Sequence, residues 1–412
     1  MKIDVDGTRL RQEIEELASI SDAPAPAVTR IVFTPTDLKA RKWLLARCQD
    51  AGLTIRMDSV GNTFARWIGS EPGAAAVGTG SHIDAIPNAG KYDGVVGVLG
   101  GLEAIRSLQR RGYRPTRSIE LIVFTSEEPT RFGIGCLGSR LLSGQTPAHA
   151  ARNLTDREGA SLEGVRSAAG VLGELEEVEL PTGCYRAFVE LHIEQGPLLE
   201  REGIPLGIVT QIAAPASFRI SIEGIGGHAG AVLMPERKDA LCAAAELILA
   251  VESAAQASGA VDTVATVGMC EVFPGAVNSI PSRVQLSLDV RDTDLARRDD
   301  VLRAIARAQR GVAAQRSVTI HEQQLNADAP AQCDPTIIKT LSDSCRNQGL
   351  PFLLMVSRAY HDSLFMSRIA PTAMLFIPCR DGISHRPDEF ASVQDIDRGV
   401  AVLAETLAKL AE

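Results

Sequence analysis

"AAAVGTGSHIDAIPNAGKYDGVVGVLGGLEAIRSLQRRG", residues 74–112, reads as a strand, a glycine-rich turn and a helix in direct succession. AAAVGTGSH is small, apolar and short, which fits a buried strand running into His82. GVVGVLGGLEAIRSLQRRG then reads as a helix packed tightly through its glycines. Just downstream, RSIELIVFTSEE (117–128) is another buried strand, ending in Glu127 and Glu128. Strands alternating with helices predict a largely parallel α/β sheet, whose sites lie at the carboxyl ends of its strands. His82 and Glu127–Glu128 fall at such ends.

Outward from this unit the same texture continues. Leu10, Ile14, Leu17 and Ile20 recur at helical spacing, and residues 37–51 form a helix closed by Gly52. RAFVELHIEQG (186–196) alternates strictly, with Val189, Leu191 and Ile193 facing one way and Glu190, His192 and Glu194 the other. The texture then changes. From about residue 211 the order becomes strand FRISIEG, helix 236–251, strands TVATVGMCE and RVQLSLDVRD, helix 295–309 and strand RSVTIHE. Two helices with four strands predict an α+β module covering one face of an antiparallel sheet. After NADAPAQCDP the α/β texture returns, with strands near Leu353 and Ala373 and a final amphipathic helix. The expected fold is an α/β domain with a mostly parallel sheet, residues 1–210 and 325–412, carrying an inserted α+β domain, residues 211–324.

Composition narrows the function classes. At 412 residues the chain exceeds one ordinary core, in keeping with two domains. Hydrophobic content of 45% with 23% charged residues describes a globular protein, neither disordered nor membrane-embedded. A net charge of −9, from 42 basic and 51 acidic residues, argues against nucleic acid or anionic membrane partners. MKIDVDGTRLRQEIEELASI lacks the apolar core of a signal peptide, and no apolar run approaches the roughly 18 residues of a membrane span. The eight cysteines are scattered without a C-x-x-C, so reduced, mostly packed thiols and a cytoplasmic location are expected.

Three motifs carry chemistry. GSHIDAIPNAGKYDGVVGV places His82 at a strand end and Asp93 in a glycine-rich turn entering a helix; TSEEPTRFG caps an apolar strand with adjacent glutamates; ELHIEQGP puts His192 on a polar strand face beside Gln195. Taken singly, each has an ordinary reading as a packed histidine or a solvated loop. Together, two histidines, an aspartate and a glutamate pair at strand ends of one sheet suit two divalent metals bound through nitrogen and oxygen. Two such metals can share a carboxylate bridge and a hydroxide. The lack of thiolates points to Zn, Mn, Co or Ni. Of two adjacent carboxylates, one can ligate while the other moves protons, as metal-assisted hydrolysis requires.

GSHIDAIPNAGKYDGVVGVLG, FTSEEPTRFG, LHIEQGP and GIGGHAGAVLMPERKDA together resemble the amidase/hydantoinase/carbamoylase branch of the M20 metallohydrolases, across essentially the whole chain. That resemblance implies a catalytic α/β domain with a dimetal centre and an inserted α+β lid that also mediates dimerisation. It implies His82 as a metal ligand, Asp93 as the bridging carboxylate, Glu128 as a ligand of the second metal and Glu127 as general base. His192 and His385, in GISHRPDE, would complete the two shells. His228, in GIGGHAG, would reach the partner subunit's active site in a homodimer and stabilise the oxyanion. Gln195 is expected near a ureido group, and Asn278 and Arg291 on the substrate side. A guanidinium at Arg291 could bind a substrate carboxylate, with a surface ion pair as the alternative.

The stretch SRAYHDSLFM (357–366) bears on the substrate. Many carbamoylases and allantoate amidohydrolases carry small glycine-rich residues there, where this chain has Arg358 and Tyr360. With FTSEEPTRFG and IAAPASF, it resembles the ureidoglycolate-hydrolysing members of the branch. A phenol at Tyr360 can hydrogen-bond an α-hydroxyl, and a site built for that bond rejects analogues lacking it. His361 is expected beside the substrate, bracing the pocket wall with Asp362. The expected reaction is hydrolysis of (S)-ureidoglycolate to glyoxylate, ammonia and CO2, with Mn²⁺ and then Zn²⁺ as metals. The alternatives are an N-carbamoyl-L-amino acid hydrolase, an allantoate amidohydrolase or a non-catalytic metal-binding paralogue.

Overall fold

A computed structural model describes residues 3–412, which form two compact units. Of the described residues, the first comprises 3–210, 332–357 and 361–412; the second comprises 211–331 and 358–360.

The first unit is built on a nine-stranded sheet. At its centre the strands Thr372–Ile377, Tyr185–Ile193, Ala76–His82 and Ile119–Phe124 lie side by side and parallel. Thr63–Trp67 and Thr54–Met57 extend one edge antiparallel, and Gly207–Ile212 pairs antiparallel with Thr372–Ile377 on the other side. Helices cover both faces, so Ala76–His82 and Ile119–Phe124 are buried at every position. The alternation in RAFVELHIEQG therefore does not separate core from solvent. Every residue from Ala187 to Ile193 is buried, and Glu190 and His192 point into a polar interior layer.

The helix Val95–Arg110 lies against this sheet as the glycines predict. A side chain on Gly97 would collide with the Leu191 carbonyl and Ser81, and one on Gly100 would press Leu191 and Val400. The last contact places the helix Val393–Leu410 directly behind it.

The second unit is a four-stranded antiparallel sheet in the order Val264–Phe273, Arg283–Asp292, Ala214–Glu223, Thr319–Ala327. Arg283–Asp292 alternates buried and solvent-facing side chains. Its apolar face meets Ala240, Ala244, Leu247 and Val251 of one helix and Val301 and Ile305 of another. The first helix runs Ala240–Ala257, not 236–251, because the Asp239 side chain caps it by accepting from Leu241 and Cys242 N–H. The second continues to Arg316, where Ser317 turns left-handed. This unit also extends beyond residue 324: Ala327 still pairs with Ala216, and the chain leaves the unit only after Ala331. Residues 358–360 join it as well, held by an Arg358–Asp262 ion pair at 2.6 Å.

By length and composition Ala240–Ala257 is apolar enough to cross a membrane, with a mean hydropathy of 1.4. A buried stripe of Ala240, Ala243, Ala244, Leu247 and Val251 packs on the sheet, while Leu241 and Leu249 are exposed. The eight cysteines are free thiols, Cys242 and Cys270 exposed and the others at least partly buried.

Two glycine substitutions should move stability in opposite directions. Gly97→Ala has no space and is expected to cost about 1–3 kcal/mol. Gly311→Ala, in the helix Leu295–Arg316 with nothing near its missing Cβ, should gain roughly 0.5–1 kcal/mol. Denaturant midpoints of the two variants check this.

Candidate metal centre

The parallel strands bring their carboxyl ends to one place, and the side chains there follow from that register. His82 ends Ala76–His82, Glu127 and Glu128 follow Ile119–Phe124, and His192 lies near the end of Tyr185–Ile193. Asp93 comes from the turn before Val95–Arg110, and His385 from the loop after Thr372–Ile377. Gly94 has φ 63° at this turn, and any side chain on it would strike the His82 ring.

Asp93 is the shared member of two ligand groups. Its Oδ1 lies 3.1 Å from His192 Nε2 and 3.6 Å from His82 Nε2; its Oδ2 lies 3.1 Å from His385 Nε2. Glu128 Oε1 is 3.4 Å from His385 Nε2, and Glu127 Oε2 is 3.7 Å from His82 Nε2. Within each of the sets His82–Asp93–His192 and Asp93–Glu128–His385, the donor atoms lie within 4.8 Å of one another.

The surrounding hydrogen bonds prepare these donors. His82 Nδ1 sits 3.0 Å from the Asp84 carbonyl and His192 Nδ1 2.9 Å from the Ile193 carbonyl. With each Nδ1 engaged by a carbonyl, Nε2 is the ring atom that faces inward, where a metal ligand is required. The Asp84 carboxylate, 1% exposed, accepts from Glu128 N–H at 3.0 Å and Glu127 N–H at 3.3 Å. Cys136 N–H donates to the Glu127 carbonyl at 2.7 Å, and its Sγ lies 3.3 Å from Glu127 Oε1. Three non-glycine residues at the site hold left-handed backbone, Ser126 (φ 56°), Gln195 (φ 55°) and His385 (φ 60°). Such conformations cost about 1–3 kcal/mol each and persist where surrounding bonds fix them.

Electrostatics follow from burying acids beside imidazoles. Burial opposes ionisation of Asp93, but hydrogen bonds from His192, His385 and His82 outweigh it and hold Asp93 well below the usual carboxylate range. Glu128 is pushed up to about 7 by burial and by the Asp93 charge. Burial also raises Glu127 well above the usual carboxylate range, against the pull of His82. The Asp93 hydrogen bond lifts His385 to about 9. Nitrogen and oxygen donors with no thiolate, imidazoles already turned inward and a concentration of buried carboxylates fit divalent cations.

The structure thus brings together His82, Asp93, Glu127, Glu128, His192, His385 and Gln195. Gln195 Nε2 donates to Asp93 Oδ2 at 2.7 Å, while its Oε1 is buried without a hydrogen-bond partner. His361 is placed differently from the expected pocket wall. It is 3% exposed, its Nε2 is 3.1 Å from Ser357 Oγ, and its ring packs 4.5 Å from that of His192. Glu190, His192 and His361 also cluster, but the Glu190 oxygens accept from Ser81 Oγ at 2.7 Å and Ser363 Oγ at 2.6 Å, which makes a hydrogen-bonded brace.

His228, Asn278, Arg291 and Tyr360 belong to the second unit. His228 is exposed, and its Nδ1 accepts from Gly230 N–H at 3.1 Å. Asn278 is exposed, with its carbonyl accepting from Ala229 N–H at 2.9 Å. Arg291 pairs with Asp289 at 2.7 Å and lies 5.5 Å over the Tyr360 ring, so the ion-pair alternative describes it as it stands.

Sequence reading missed Asp84, Cys136 and Glu389. Asp84 had a signal, since it lies two residues after His82 in SHID. Asp362 was seen only as a loop brace, yet it is fully buried and accepts from Ser139 Oγ at 2.5 Å.

A parallel sheet that delivers three imidazoles and a set of buried carboxylates to one end offers donors for divalent cations, and its family makes the chain a metal-dependent hydrolase. The profile of Peptidase family M20/M25/M40 matches residues 78–409, and the chain belongs to that family. It is 52% identical to ureidoglycolate hydrolase from Oryza sativa subsp. japonica, over 98% of this chain and 85% of the relative. It is 37% identical to N-carbamoyl-L-amino acid amidohydrolase from Geobacillus stearothermophilus, over 99% of each chain. A crystal structure of AtUAH in complex with glyoxylate superposes with a TM-score of 0.93 at 51% identity, covering 100% of this chain and 99% of that one.

The pKa directions give signed expectations. A metal must displace the proton held by His385, so metal affinity should rise as pH increases from about 6.5 to about 9. Under chelation the opposite sign applies to stability. The folded protein holds protons on Glu128 and His385 that the unfolded chain releases. That contribution is complete below each ordinary value, and it is lost as pH rises through about 7 and then about 9. Thermal unfolding across this range, with chelator and with added divalent metal, should show the chelated protein losing stability more steeply.

Proposed function

We propose that the chain is a dimetal amidohydrolase that cleaves the C–N bond of a small ureido acid, most specifically (S)-ureidoglycolate, in ureide and purine catabolism. The reading rests on one observation above others: the two oxygens of Asp93 face two different imidazole sets in a chain 52% identical to a ureidoglycolate hydrolase. The likeness to AtUAH in complex with glyoxylate supports the same product.

In this reading His82, His192 and Asp93 hold one cation, and Asp93, Glu128 and His385 the other. Mn²⁺ is proposed and Zn²⁺ is the alternative. Bound there, the metals polarise the ureido carbonyl and lower the pKa of water. Glu127 takes the proton of the attacking water and returns it to the departing nitrogen as the C–N bond breaks. The released carbamate breaks down to CO2 and ammonia, and the remaining hemiaminal expels a second ammonia to leave glyoxylate. Gln195 Oε1, a buried acceptor without a partner, suits a ureido N–H.

The second unit is assigned as a lid and dimerisation domain and the first, with its boundaries as described above, as the catalytic domain. His228 accepts at Nδ1, so its Nε2 carries the proton and can donate to an oxyanion in the partner subunit's site. Tyr360 is assigned to the substrate α-hydroxyl, and Asn278 and Arg291 to the substrate carboxylate side. His361 is assigned to positioning His192 rather than to touching substrate. The eight free thiols suit the cytoplasm. The 37% identity to an N-carbamoyl-L-amino acid amidohydrolase keeps that activity as the second reading.

Ammonia release from ureidoglycolate, allantoate and N-carbamoyl amino acids, each with Mn²⁺ and Zn²⁺, tests the assignment. Ureidoglycolate should lead, and a higher kcat/KM for a carbamoyl amino acid would replace this reading with the second. Tyr360→Phe should lower kcat/KM for ureidoglycolate about tenfold to a hundredfold, and leave substrates without the hydroxyl unchanged. Glu127→Ala and His228→Ala should each be inactive alone. Random subunit exchange between them should restore about a quarter of wild-type activity, since half the dimers then carry one complete site. No recovery after proven exchange would place His228 outside the shared site.

A further inference from the structure

The loop that carries His385 and the turn that carries Asp93 are far apart in sequence, yet a second carboxylate joins them. Glu389 is 4% exposed. Its Oε1 accepts from the backbone N–H groups of Tyr92 at 2.8 Å and Asp93 at 3.1 Å. Its Oε2 lies 2.8 Å from Ser384 Oγ, the residue before His385. The next residue repeats the clasp in apolar form, with the Phe390 ring set edge-on to Tyr92 at 6.0 Å. Gly90 leaves the room for this, since a side chain there would collide with Glu389.

One arrangement of the protons in this network, with Glu389 ionised, uses every donor once. Ser384 Oγ lies between Glu389 Oε2 and Asp93 Oδ2, at 2.8 and 2.9 Å, but a hydroxyl has a single proton to give. Gln195 Nε2 lies 2.7 Å from Asp93 Oδ2 and 3.3 Å from Ser384 Oγ, and an amide has two. If Gln195 donates to both, Ser384 donates to Glu389, and each donor is used once. Glu389 then accepts three hydrogen bonds, two of them from the backbone that aims Asp93. Ser384, fixed by that bond, adjoins His385, whose left-handed backbone needs external support.

We propose that Glu389 is a positioning residue that sets the geometry of the Asp93–Glu128–His385 cation site more strongly than that of the His82–Asp93–His192 site, which shares Asp93 but not the Ser384–His385 loop. The inference rests on the two-cation reading above. Glutamine at this position keeps the volume but presents an amide N–H₂ or a lone acceptor where a carboxylate now accepts on both oxygens. With the amide nitrogen towards Ser384, the hydroxyl of Ser384 must turn from residue 389 to Asp93 Oδ2; with it towards the backbone, the N–H groups of Tyr92 and Asp93 lose their acceptor.

Mn²⁺ titration of chelator-stripped protein, read by calorimetry and by EPR, tests it on wild-type, Glu389→Gln and Gly90→Ala proteins. Wild type should bind two equivalents and show a spin-coupled pair. Both variants should weaken one equivalent at least about tenfold more than the other, and show the uncoupled signal of a single ion when one equivalent is bound. Gly90→Ala displaces Glu389 without altering it, so it decides the question if Glu389→Gln does not fold. Two equivalents at unchanged affinity in the variants would overturn the positioning role and leave the two-cation reading standing. Equal weakening of both sites would overturn the proposed difference between them. Failure of wild type itself to bind two equivalents would defeat the two-cation reading and this inference with it.

Discussion

The structure turns on the burial of negative charge at one end of a parallel sheet. Asp84, Asp93, Glu127 and Glu128 are all under 10% exposed, and they share a small volume. Unit charges about 4 Å apart repel by roughly 4 kcal/mol at an effective dielectric of 20, so such a layer requires positive charge or protons. Three imidazoles supply part of it. Backbone N–H groups supply more, from Glu127 and Glu128 to Asp84 and from Tyr92 and Asp93 to Glu389. The remainder is what divalent cations would bring, and the inward-facing Nε2 atoms of His82 and His192 are arranged for them.

Below that layer lies a second one, and it ties the centre to the rest of the fold. Glu190 receives hydroxyl protons from Ser81 on one strand and Ser363 on a short helix. Asp362, beside Ser363, receives one from Ser139. The Ser139 helix in turn gives its first N–H groups to the carbonyls of the Glu127 loop, through Cys136, Leu137 and Gly138. The base and the ligands are therefore aimed by a framework of neutral donors. Each donor is buried, where an unmade hydrogen bond would cost about 1–3 kcal/mol.

Much of this could be read from the sequence, and the reasons are local. AAAVGTGSH and IELIVF are continuous apolar runs because both faces of their strands are covered, and that fixed the sheet class and the placement of His82 and Glu127–Glu128. His385 became visible only through family resemblance, since GISHRPDE has no periodicity to locate it. The braces were harder. Cys136 and Glu389 act through backbone atoms or across long sequence separations, and nothing in their own neighbourhoods marks them. His361 was expected beside the substrate, and its packing on the His192 ring becomes visible only once the strand under it is known. The end of the second unit was set too early because the polar residues of TIHEQQLNA (319–327) hide a strand that continues to Ala327.

The association of Arg358–Tyr360 with the second unit changes how these proteins can be recombined. A graft spanning residues 211–331 would seem to move the second unit whole. It would leave Arg358 behind, part Asp262 from its ion-pair partner and take Arg291 from beneath the Tyr360 ring. Chimaeras between relatives thus need a second exchanged segment, three residues long, if a transplanted unit is to arrive with its own contacts intact.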